Sequence, residues 1–351
     1  MPSLLPKLLK NLDISPLEDL STLNTLSEYL GKQKLFEKQK RATLEGLQTV
    51  AAIESADASN RLEGITAPQK RIEALVRDSA VPQDRSEQEI AGYRDAMRHI
   101  HQDSEHIPVK VNVILQLHNW LYRHMSEEGG RWKSLDNEIV EKDADGNVTR
   151  VRFKAVSAVE TPQAMQDLVD HYRQAMNDRV PPLLVIPLFI LDFLCIHPFR
   201  DGNGRVSRLL TNLLLYHAGY EVGRYISLER LLLETREGYY STLETSSQGW
   251  HENEHDPMPW VRYFWGVLLT AYKEFEDRVG NIEQGRGSKT QRIRDAVERK
   301  ITPFQIKELK RDLPDISREM IRKVLATMQK EGRVRSEGRG PGARWIPLEK
   351  E

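Results

Sequence analysis

The chain has 351 residues, enough for two or three domains, and 39% of them are hydrophobic, which excludes a largely disordered protein. Its 51 Lys+Arg residues against 52 Asp+Glu exclude a general attraction of the whole chain to nucleic acid or to membranes. The single cysteine, Cys195, excludes an intrachain disulfide framework and a multi-cysteine zinc site. It fits a reducing compartment, so we expect a cytoplasmic protein, and the alternative is a secreted bacterial enzyme, which can also lack cysteine pairs.

We expect no membrane segment in residues 1–17 or in the longest apolar run of the chain. Residues 1–17 contain no uninterrupted apolar stretch and no small-residue cleavage site, so no signal peptide is predicted. The longest apolar run, Pro181 to Ile196, is interrupted by Pro187 and Asp192 and is too short to cross a bilayer. It predicts a buried core helix instead.

Residues 20–130 are predicted to form helices joined by polar segments, and one of these helices ends at Gly64. Ser59 and Glu63 lie four residues apart and therefore share one face of that helix, with Glu63 in its last turn. Taken alone, this pattern describes an ordinary solvated glutamate that precedes a helix cap.

A β-hairpin is predicted between Asn137 and Phe153. Alternating apolar and polar residues follow an Asp-Gly turn at positions 145 and 146, which is a strong hairpin signal. One hairpin in a helical chain cannot form a sheet core, so it is expected to lie as a flap on the rest of the molecule.

The segment that carries most of the chemistry is His197-Pro-Phe-Arg-Asp-Gly-Asn-Gly-Arg-Val-Ser-Arg208, directly after the apolar run. Pro198 ends the preceding helix, and Gly202 and Gly204 allow a sharp turn and the close approach of a ligand to the backbone. The next helix is predicted to begin near Arg205.

This corner has the composition of an anion-binding site. Free N–H groups at a helix N-terminus form a positive concavity, and Arg205 and Arg208, three residues apart, add donors for phosphate oxygens. Asp201 is suited to Mg²⁺ shared with a phosphate, and His197 to accepting a proton near neutral pH. The set predicts phosphoryl or nucleotidyl transfer, and the alternative is a plain helix-loop-helix corner with glycine caps.

Residues 197–208 resemble the Fic family signature HPFx[DE]GNGRxxR at every fixed position. The resemblance implies a mainly α Fic-type bundle with a small β-hairpin flap, and transfer of AMP from MgATP to a Ser, Thr or Tyr hydroxyl of a protein. It implies His197 as the base, Asp201 as the Mg²⁺ ligand, and binding of the phosphates of ATP by Gly202, Asn203, Gly204, Arg205 and Arg208. Phe199 would anchor the loop in the core. Tyr240 would line the adenine pocket or, equally, pack in the core.

Residues 59–64, Ser-Asn-Arg-Leu-Glu-Gly, resemble the inhibitory motif [ST]xxxE[GN] of the same family. The resemblance implies that Glu63, with Ser59, pairs with Arg208 and denies it to the γ-phosphate. An inhibitory helix at about residues 45–64 would place the chain among the class II Fic proteins, whose activity is autoinhibited.

The C-terminal part differs in charge, with 18 Lys+Arg against 10 Asp+Glu in residues 286–351. A helix over 291–300, a helix opened by a capping box at Thr302–Gln305, a helix capped by Ser317 and a basic hairpin predict a winged helix-turn-helix. It would bind DNA through basic residues of its third helix and of its wing, namely Arg318, Arg322, Lys323, Arg339 and Arg344. The alternative is a protein-binding module or one that stabilises a homodimer.

The predicted organisation is an N-terminal helical region (1–110), a Fic core (111–280), a linker (281–288) and a winged helix (289–351). Two rival functions stay open. The protein could use another nucleotide or remove AMP from a modified target. It could instead be a DNA-binding regulator whose core senses a nucleotide without catalysis.

Overall fold

A computed structural model describes residues 3, 12, 17–37, 41–142, 147–283, 289–298, 300, 303–338 and 343–348. The protein is mainly helical with two small sheets, which confirms the predicted fold class. Among the described residues, no helix combines the length and apolar character that a membrane span requires.

The larger part of the molecule, residues 17–283, is built from helices and one hairpin. The helices, in chain order, are α1 (Leu17–Glu37), α2 (Arg41–Leu62), α3 (Gln69–Val76), α4 (Arg85–Asp103), α5 (Val111–Leu121), α6 (Thr161–Asn177), α7 (Pro182–Ile196), α8 (Asn203–His217), α9 (Leu228–Glu234), α10 (Arg236–Ser247) and α11 (Met258–Glu283). One continuous hydrophobic core extends from Leu26 to Val279 and includes residues on both sides of position 110.

Helix α7 lies at the centre of this core. The apolar run predicted as a buried helix forms it, and of its residues only Pro182 and Leu194 are not fully buried. It packs against α6, α8 and α11. Because α7 is covered on all sides, the residue that ends it, His197, is placed by a rigid support.

The predicted flap consists of the antiparallel strands β1 (Glu138–Lys142) and β2 (Val148–Lys154). Ile139 lies opposite Phe153, and the register shifts after Ile139 and again near the turn. Two arginines of β2 attach the hairpin to α10: Arg150 donates to Glu244 Oε1 at 2.5 Å, and Arg152 donates to the other oxygen of the same carboxylate. Residues 143–146 of the predicted turn lie outside the described residues.

Residues 289–348 form a second unit around its own hydrophobic core. It contains α12 (Lys289–Glu298), α13 (Ile306–Asp312) and α14 (Arg318–Lys330), with strands β3 (Phe304–Gln305), β4 (Val334–Glu337) and β5 (Arg344–Pro347) in the order β3-β5-β4. Ser317 caps α14 as predicted, accepting a hydrogen bond from the Met320 N–H at 3.2 Å.

The start of α13 differs from the prediction. Phe304 and Gln305 are not the first turn of a helix; they form β3 and pair with Trp345 and Arg344. The capping box lies further along, between Gln305 and Glu308. The side chain of Phe304 is buried in the core of this unit, and its long-range pairing with β5 overrides the local signal for a helix start. Residue 302 lies outside the described residues, as do residues 284–288 of the predicted linker, whose first positions belong to α11.

Candidate functional site

The chain reverses direction between α7 and α8 through two left-handed residues. His197, directly after α7, has φ of 50°, and Gly202, the N-cap of α8, has φ of 82°. A glycine adopts this conformation at little cost, whereas a histidine does so only where its surroundings hold it. The His197 backbone is therefore held in place by contacts from other parts of the structure.

Part of that support comes from within the loop. The Asn203 side chain accepts a hydrogen bond from the Phe199 N–H at 2.9 Å and donates one to the Phe199 carbonyl at 2.8 Å. The Phe199 ring is fully buried and stacks on His118 with ring centroids 3.8 Å apart. His118 in turn accepts from the Gly130 N–H through Nδ1 and donates through Nε2 to the Asp201 carbonyl. These contacts are the physical basis for the predicted role of Phe199 as the residue that anchors the loop in the core.

Further support comes from residues 133–137, here called the strap, which the sequence analysis did not identify. Lys133 is 5% exposed, and its Nζ donates to the Ile196 carbonyl at 3.1 Å and to Asn137 Oδ1 at 2.8 Å. The Lys133 N–H donates to the Pro198 carbonyl, and Asn137 Nδ2 donates to the Phe199 carbonyl. The strap thus binds three carbonyls around His197.

His197 is neutral in this environment. Burial lowers its pKa to about 4, and the positive charge of Lys133 acts in the same direction, against the opposing effects of the Leu194 carbonyl, Glu63 and Asp201. Its Nδ1 lies 3.3 Å from the Leu194 carbonyl, which can only accept, so this nitrogen carries the proton. Nε2 is left with a free lone pair, which is what a proton acceptor needs.

We expect Lys133→Met to raise the pKa of His197, because a nearby positive charge that favours neutral imidazole is removed. A higher pKa keeps the imidazole protonated to a higher pH, so the acidic limb of any His197-dependent activity moves upward in pH. The measurement is NMR titration of the imidazole nitrogens. Lys133→Arg, which keeps the charge, should leave the titration curve within 0.3 units of wild type, and an unshifted curve in Lys133→Met would refute the assignment.

The first turn of α8 forms the floor of the site. Its N–H groups have no partner within the helix, so they provide donors and a positive electrostatic potential for an anion. A Cβ at Gly204 would lie 2.2 Å from Glu63 Oε1 and 3.1 Å from Arg208 Nη1. The absence of a side chain at Gly204 therefore lets the Glu63 carboxylate lie against the backbone of this turn.

Arg208 is buried, and its guanidinium contacts both predicted inhibitory residues. Nε donates to Ser59 Oγ at 2.8 Å, and Nη2 donates to the Ser59 carbonyl at 2.8 Å and to Glu63 Oε1 at 2.7 Å. Burial works to lower the pKa of Arg208, but the Glu63 carboxylate, together with Tyr239 and Tyr93, outweighs it, so the pKa is raised and the guanidinium stays charged. Helix α2 ends at Leu62, earlier than predicted, so Glu63 lies in the turn directly after the helix and not in its last helical turn, and Gly64 follows it.

Arg205 and Asp201 form a separate pair beside the loop. Arg205 is 1% exposed and donates to Asp201 Oδ2 at 2.9 Å and to Glu89 of α4, a residue that the sequence analysis missed. Burial works to raise the pKa of Asp201, but the Arg205 charge and hydrogen bonds from the Gly202 N–H and the Tyr122 hydroxyl outweigh it, so this pKa is lowered. Asp201 is an ionised carboxylate whose side chain is 61% exposed.

A cavity of about 210 Å³ opens beside the corner. Its walls come from the turn after α2, the hairpin, α7 and the residue that follows it, the first turns of α8, and α10. The lining includes Glu63, Ile139, Arg152, Phe153, Leu191, Leu194, Cys195, His197, Gly204, Arg208, Tyr239, Tyr240, Leu243, Glu244 and Ser247. The Tyr240 hydroxyl donates to the Leu62 carbonyl at 3.0 Å, while Tyr239 is buried beside it.

The cavity brings together only part of the predicted set. His197, Gly204, Arg208, Tyr240 and Glu63 line it. Five predicted residues are not part of the lining, and each of them either supports a lining residue or lies beside one. They are Ser59, Asp201, Gly202, Asn203 and Arg205. The side chain of Asn203 is engaged with Phe199, so a contact from this position to a phosphate would come from its backbone N–H.

Residues 108–215 match the family model described as Fic/DOC family. Protein adenylyltransferase fic-1 of Caenorhabditis elegans is 26% identical over 183 residues, which cover 51% of this chain and 32% of the nematode protein. Protein adenylyltransferase Fic of Culex quinquefasciatus is 34% identical over 111 residues, 26% of this chain and 20% of that protein. The match thus spans about a third or less of the length of these curated relatives.

Solved structures with the same fold cover more of the chain. A Fic family protein from Desulfovibrio desulfuricans has a TM-score of 0.60 at 20% identity and covers 95% of this chain and 96% of its own. A fragment of Fic-1 from C. elegans also has a TM-score of 0.60 at 20% identity, over 77% of this chain and 75% of that one. At these identities the likeness concerns the fold.

Proposed function

The chain contains a Fic/DOC family domain at residues 108–215, and from that premise we propose that it is an autoinhibited protein adenylyltransferase. It would transfer AMP from MgATP to a hydroxyl side chain of a protein. The observation that carries the proposal is that one cavity is lined by the neutral His197, by the first turn of α8 with N–H groups that have no partner within the helix, and by the charged Arg208. These are the parts that nucleotidyl transfer needs.

The chemistry follows from the state of these groups. The triphosphate would lie against the first turn of α8, where N–H donors and Arg208 compensate its charge. The oxygen of the target hydroxyl attacks the α-phosphorus, and its proton passes to Nε2 of His197. The bond from the α-phosphorus to the bridging oxygen breaks, and pyrophosphate leaves. A bond from the α-phosphorus to the target oxygen replaces it.

Asp201 fits the role of the Mg²⁺ ligand in this proposal. Its carboxylate is ionised and 61% exposed, as a hard cation shared with phosphate oxygens requires. Within the described ranges no three His, Cys, Asp or Glu side chains form a group that could hold a metal ion. A bound Mg²⁺ would therefore take its other ligands from phosphates and water, and it would supply positive charge to the reacting phosphates.

Autoinhibition is supported by the place that Glu63 takes. Its carboxylate lies against the first turn of α8 and holds Arg208, so it occupies the positive region that a phosphate would need. The cavity of about 210 Å³ is also smaller than the ~300–1,000 Å³ of typical small-molecule sites. Withdrawal of Glu63 would release its contact with Arg208 Nη2 and enlarge the cavity at the same time.

The hairpin supports a protein as the second substrate. Ile139 and Phe153 of its two strands line the cavity, while Val148 and Val151 are 57% and 47% exposed. An extended segment can add to a strand edge through main-chain hydrogen bonds, largely independent of its sequence. Added to the flap, it would bring a side chain toward the cavity and His197.

The proposal is tested by incubating the Glu63→Gly variant with MgATP and measuring intact masses of the variant and of lysate proteins. We expect a covalent AMP adduct on the variant or on a lysate protein, and none with the Glu63→Gly/His197→Ala double variant. UTP and GTP in place of ATP test the nucleotide, and an AMP-modified target tests the reverse reaction. Adducts of equal yield in both variants would refute the proposal, and so would their absence with every nucleotide.

A further inference from the structure

The unit formed by residues 289–348 has a basic surface that the proposed transfer reaction does not use. Its helices α13 and α14 are joined by a short turn, and the side chain of Lys310 braces this turn by donating to the Pro314 carbonyl at 2.7 Å and to the Ile316 carbonyl at 2.8 Å. Ser317 then caps α14. The angle between the two helices is thus held by hydrogen bonds across the turn, as a helix-turn-helix that places its second helix in a groove requires.

One side of α14 is committed to the core of this unit. Ile321, Val324, Leu325 and Met328 are buried and hold the helix against α12 and α13. The opposite side is exposed in the full chain and carries Arg318, Arg322, Lys323 and Lys330, here called the α14 face. Glu319 is the one acidic residue of this helix.

The pairing of charges distinguishes the α14 face from much of the unit. Five basic side chains elsewhere in the described part of this unit hold carboxylates within it, in the pairs Arg292–Asp315, Arg294–Glu331, Lys300–Asp312, Arg333–Glu298 and Arg335–Glu337, whereas Lys289, Lys307 and Arg344 are in no ion pair with a described residue. No ion pair or hydrogen bond joins the four basic side chains of the α14 face to another described residue. Four charges on one helix surface therefore remain available to an anionic partner.

The attachment of the unit to the helical body does not cover this face. Arg311 of α13 makes the contact, with its Nη1 donating to Glu234 Oε1 at 3.3 Å and its Nε 3.7 Å from Glu274 Oε1. Glu234 belongs to α9 and Glu274 to α11. The α14 face is exposed with this contact in place.

We propose that the α14 face binds duplex DNA, with α14 in the major groove and the β4–β5 strands beside the phosphate backbone. An α-helix fits the major groove, and unpaired arginines and lysines at its exposed side match the charge of the phosphates and the acceptors of guanine. Arg344 of β5 is also exposed and adds a charge on the strand pair. The net charge of +8 in residues 286–351, against −9 in the rest of the chain, confines this attraction to one end of the molecule.

The test measures binding of full-length protein to a fluorescently labelled 26-base-pair duplex by anisotropy at several salt concentrations. We expect wild type to bind with a Kd of about 1–100 μM or tighter. The triple variant Arg318→Ala/Arg322→Ala/Lys323→Ala should bind at least tenfold more weakly, and the slope of log K against log salt should fall by about 3. Thermal melting followed by circular dichroism verifies that the variant folds.

The matched control removes the same number of exposed positive charges from the helical body, in the variant Lys70→Ala/Lys110→Ala/Lys273→Ala. It should keep the affinity and the salt slope of wild type. Equal losses in the two triple variants would overturn the proposal, because the effect would then be one of net charge. The absence of duplex binding at low salt would overturn it as well, as would a preference for single-stranded RNA or capture of a protein by the α14 face without duplex binding. These outcomes do not depend on whether the protein transfers AMP.

Discussion

In the Glu63→Gly background, His197→Ala is expected to lower the rate of AMP transfer by about 10²- to 10⁴-fold, the usual contribution of a general base. His197 is neutral, its Nδ1 bonds the Leu194 carbonyl, and its Nε2 keeps a lone pair beside the cavity. An alanine has no group to accept the proton of the target hydroxyl. The measurement is transfer of label from α-labelled ATP under single-turnover conditions.

His197→Ala should leave ATP affinity within about threefold of its background, because the phosphate-binding part of the site lies in α8. The matched control is His99→Ala, which removes a histidine that stacks on Trp120 and does not line the cavity. It should leave the transfer rate unchanged. A His197→Ala variant that kept more than a tenth of the background rate would contradict the assignment of His197 as the base.

Glu63→Gly is expected to raise the transfer rate by about 5- to 150-fold. The pair between Glu63 and Arg208 is a charge-assisted hydrogen bond at 2.7 Å and is worth about 1–3 kcal/mol, which converts to that range of rate or affinity. Removal of the carboxylate releases the Glu63 contact of Arg208 Nη2, while the contacts of Arg208 with Ser59 remain, and it also removes a negative charge from the start of α8. The measurement is again label transfer, together with ATP affinity by calorimetry.

Asp57→Asn is the matched control for Glu63→Gly, because Asp57 lies in α2, the helix that leads into Glu63, and its Oδ2 is 3.6 Å from Arg61 Nη1 without contacting Arg208. It should change transfer by less than about twofold, as expected for loss of a surface ion pair. If the two variants raised transfer equally, the effect would come from loosening of α2. That result would exclude the contact between Glu63 and Arg208 as the inhibitory element.

Contacts from the surrounding structure stabilise the strained backbone of His197, at the turn between α7 and α8. The left-handed φ of His197 has an intrinsic cost, which is offset by bonds from the strap to the carbonyls of Ile196, Pro198 and Phe199. Because these donors come from a separate segment, the position of the imidazole depends on how the segment before the hairpin packs. The flap and the base are thus connected through the backbone between residues 133 and 138.

The sequence of residues 197–208 was enough to predict the turn between α7 and α8. Pro198 ends α7, Gly202 supplies the positive φ, and the spacing of Gly204 and Arg208 places both near the start of α8. The spacing of Ser59 and Glu63 likewise predicted a shared face, and both residues contact Arg208. These features depend on neighbours within a few residues, where backbone geometry leaves few choices.

Only the tertiary structure decided which distant groups complete the site. Lys133 and Asn137 lie more than 60 residues from the carbonyls that they bind, and Glu89 lies 116 residues from Arg205. Glu244 holds the hairpin from more than 90 residues away. Lysine and glutamate side chains are solvated on most helices, so the neighbouring sequence does not indicate when one of them is buried. The partner of such a buried side chain depends on how whole helices pack. For the same reason the sequence alone predicted a helix start over Thr302–Gln305, whereas the fold uses Phe304 and Gln305 as a strand beside Trp345 and Arg344.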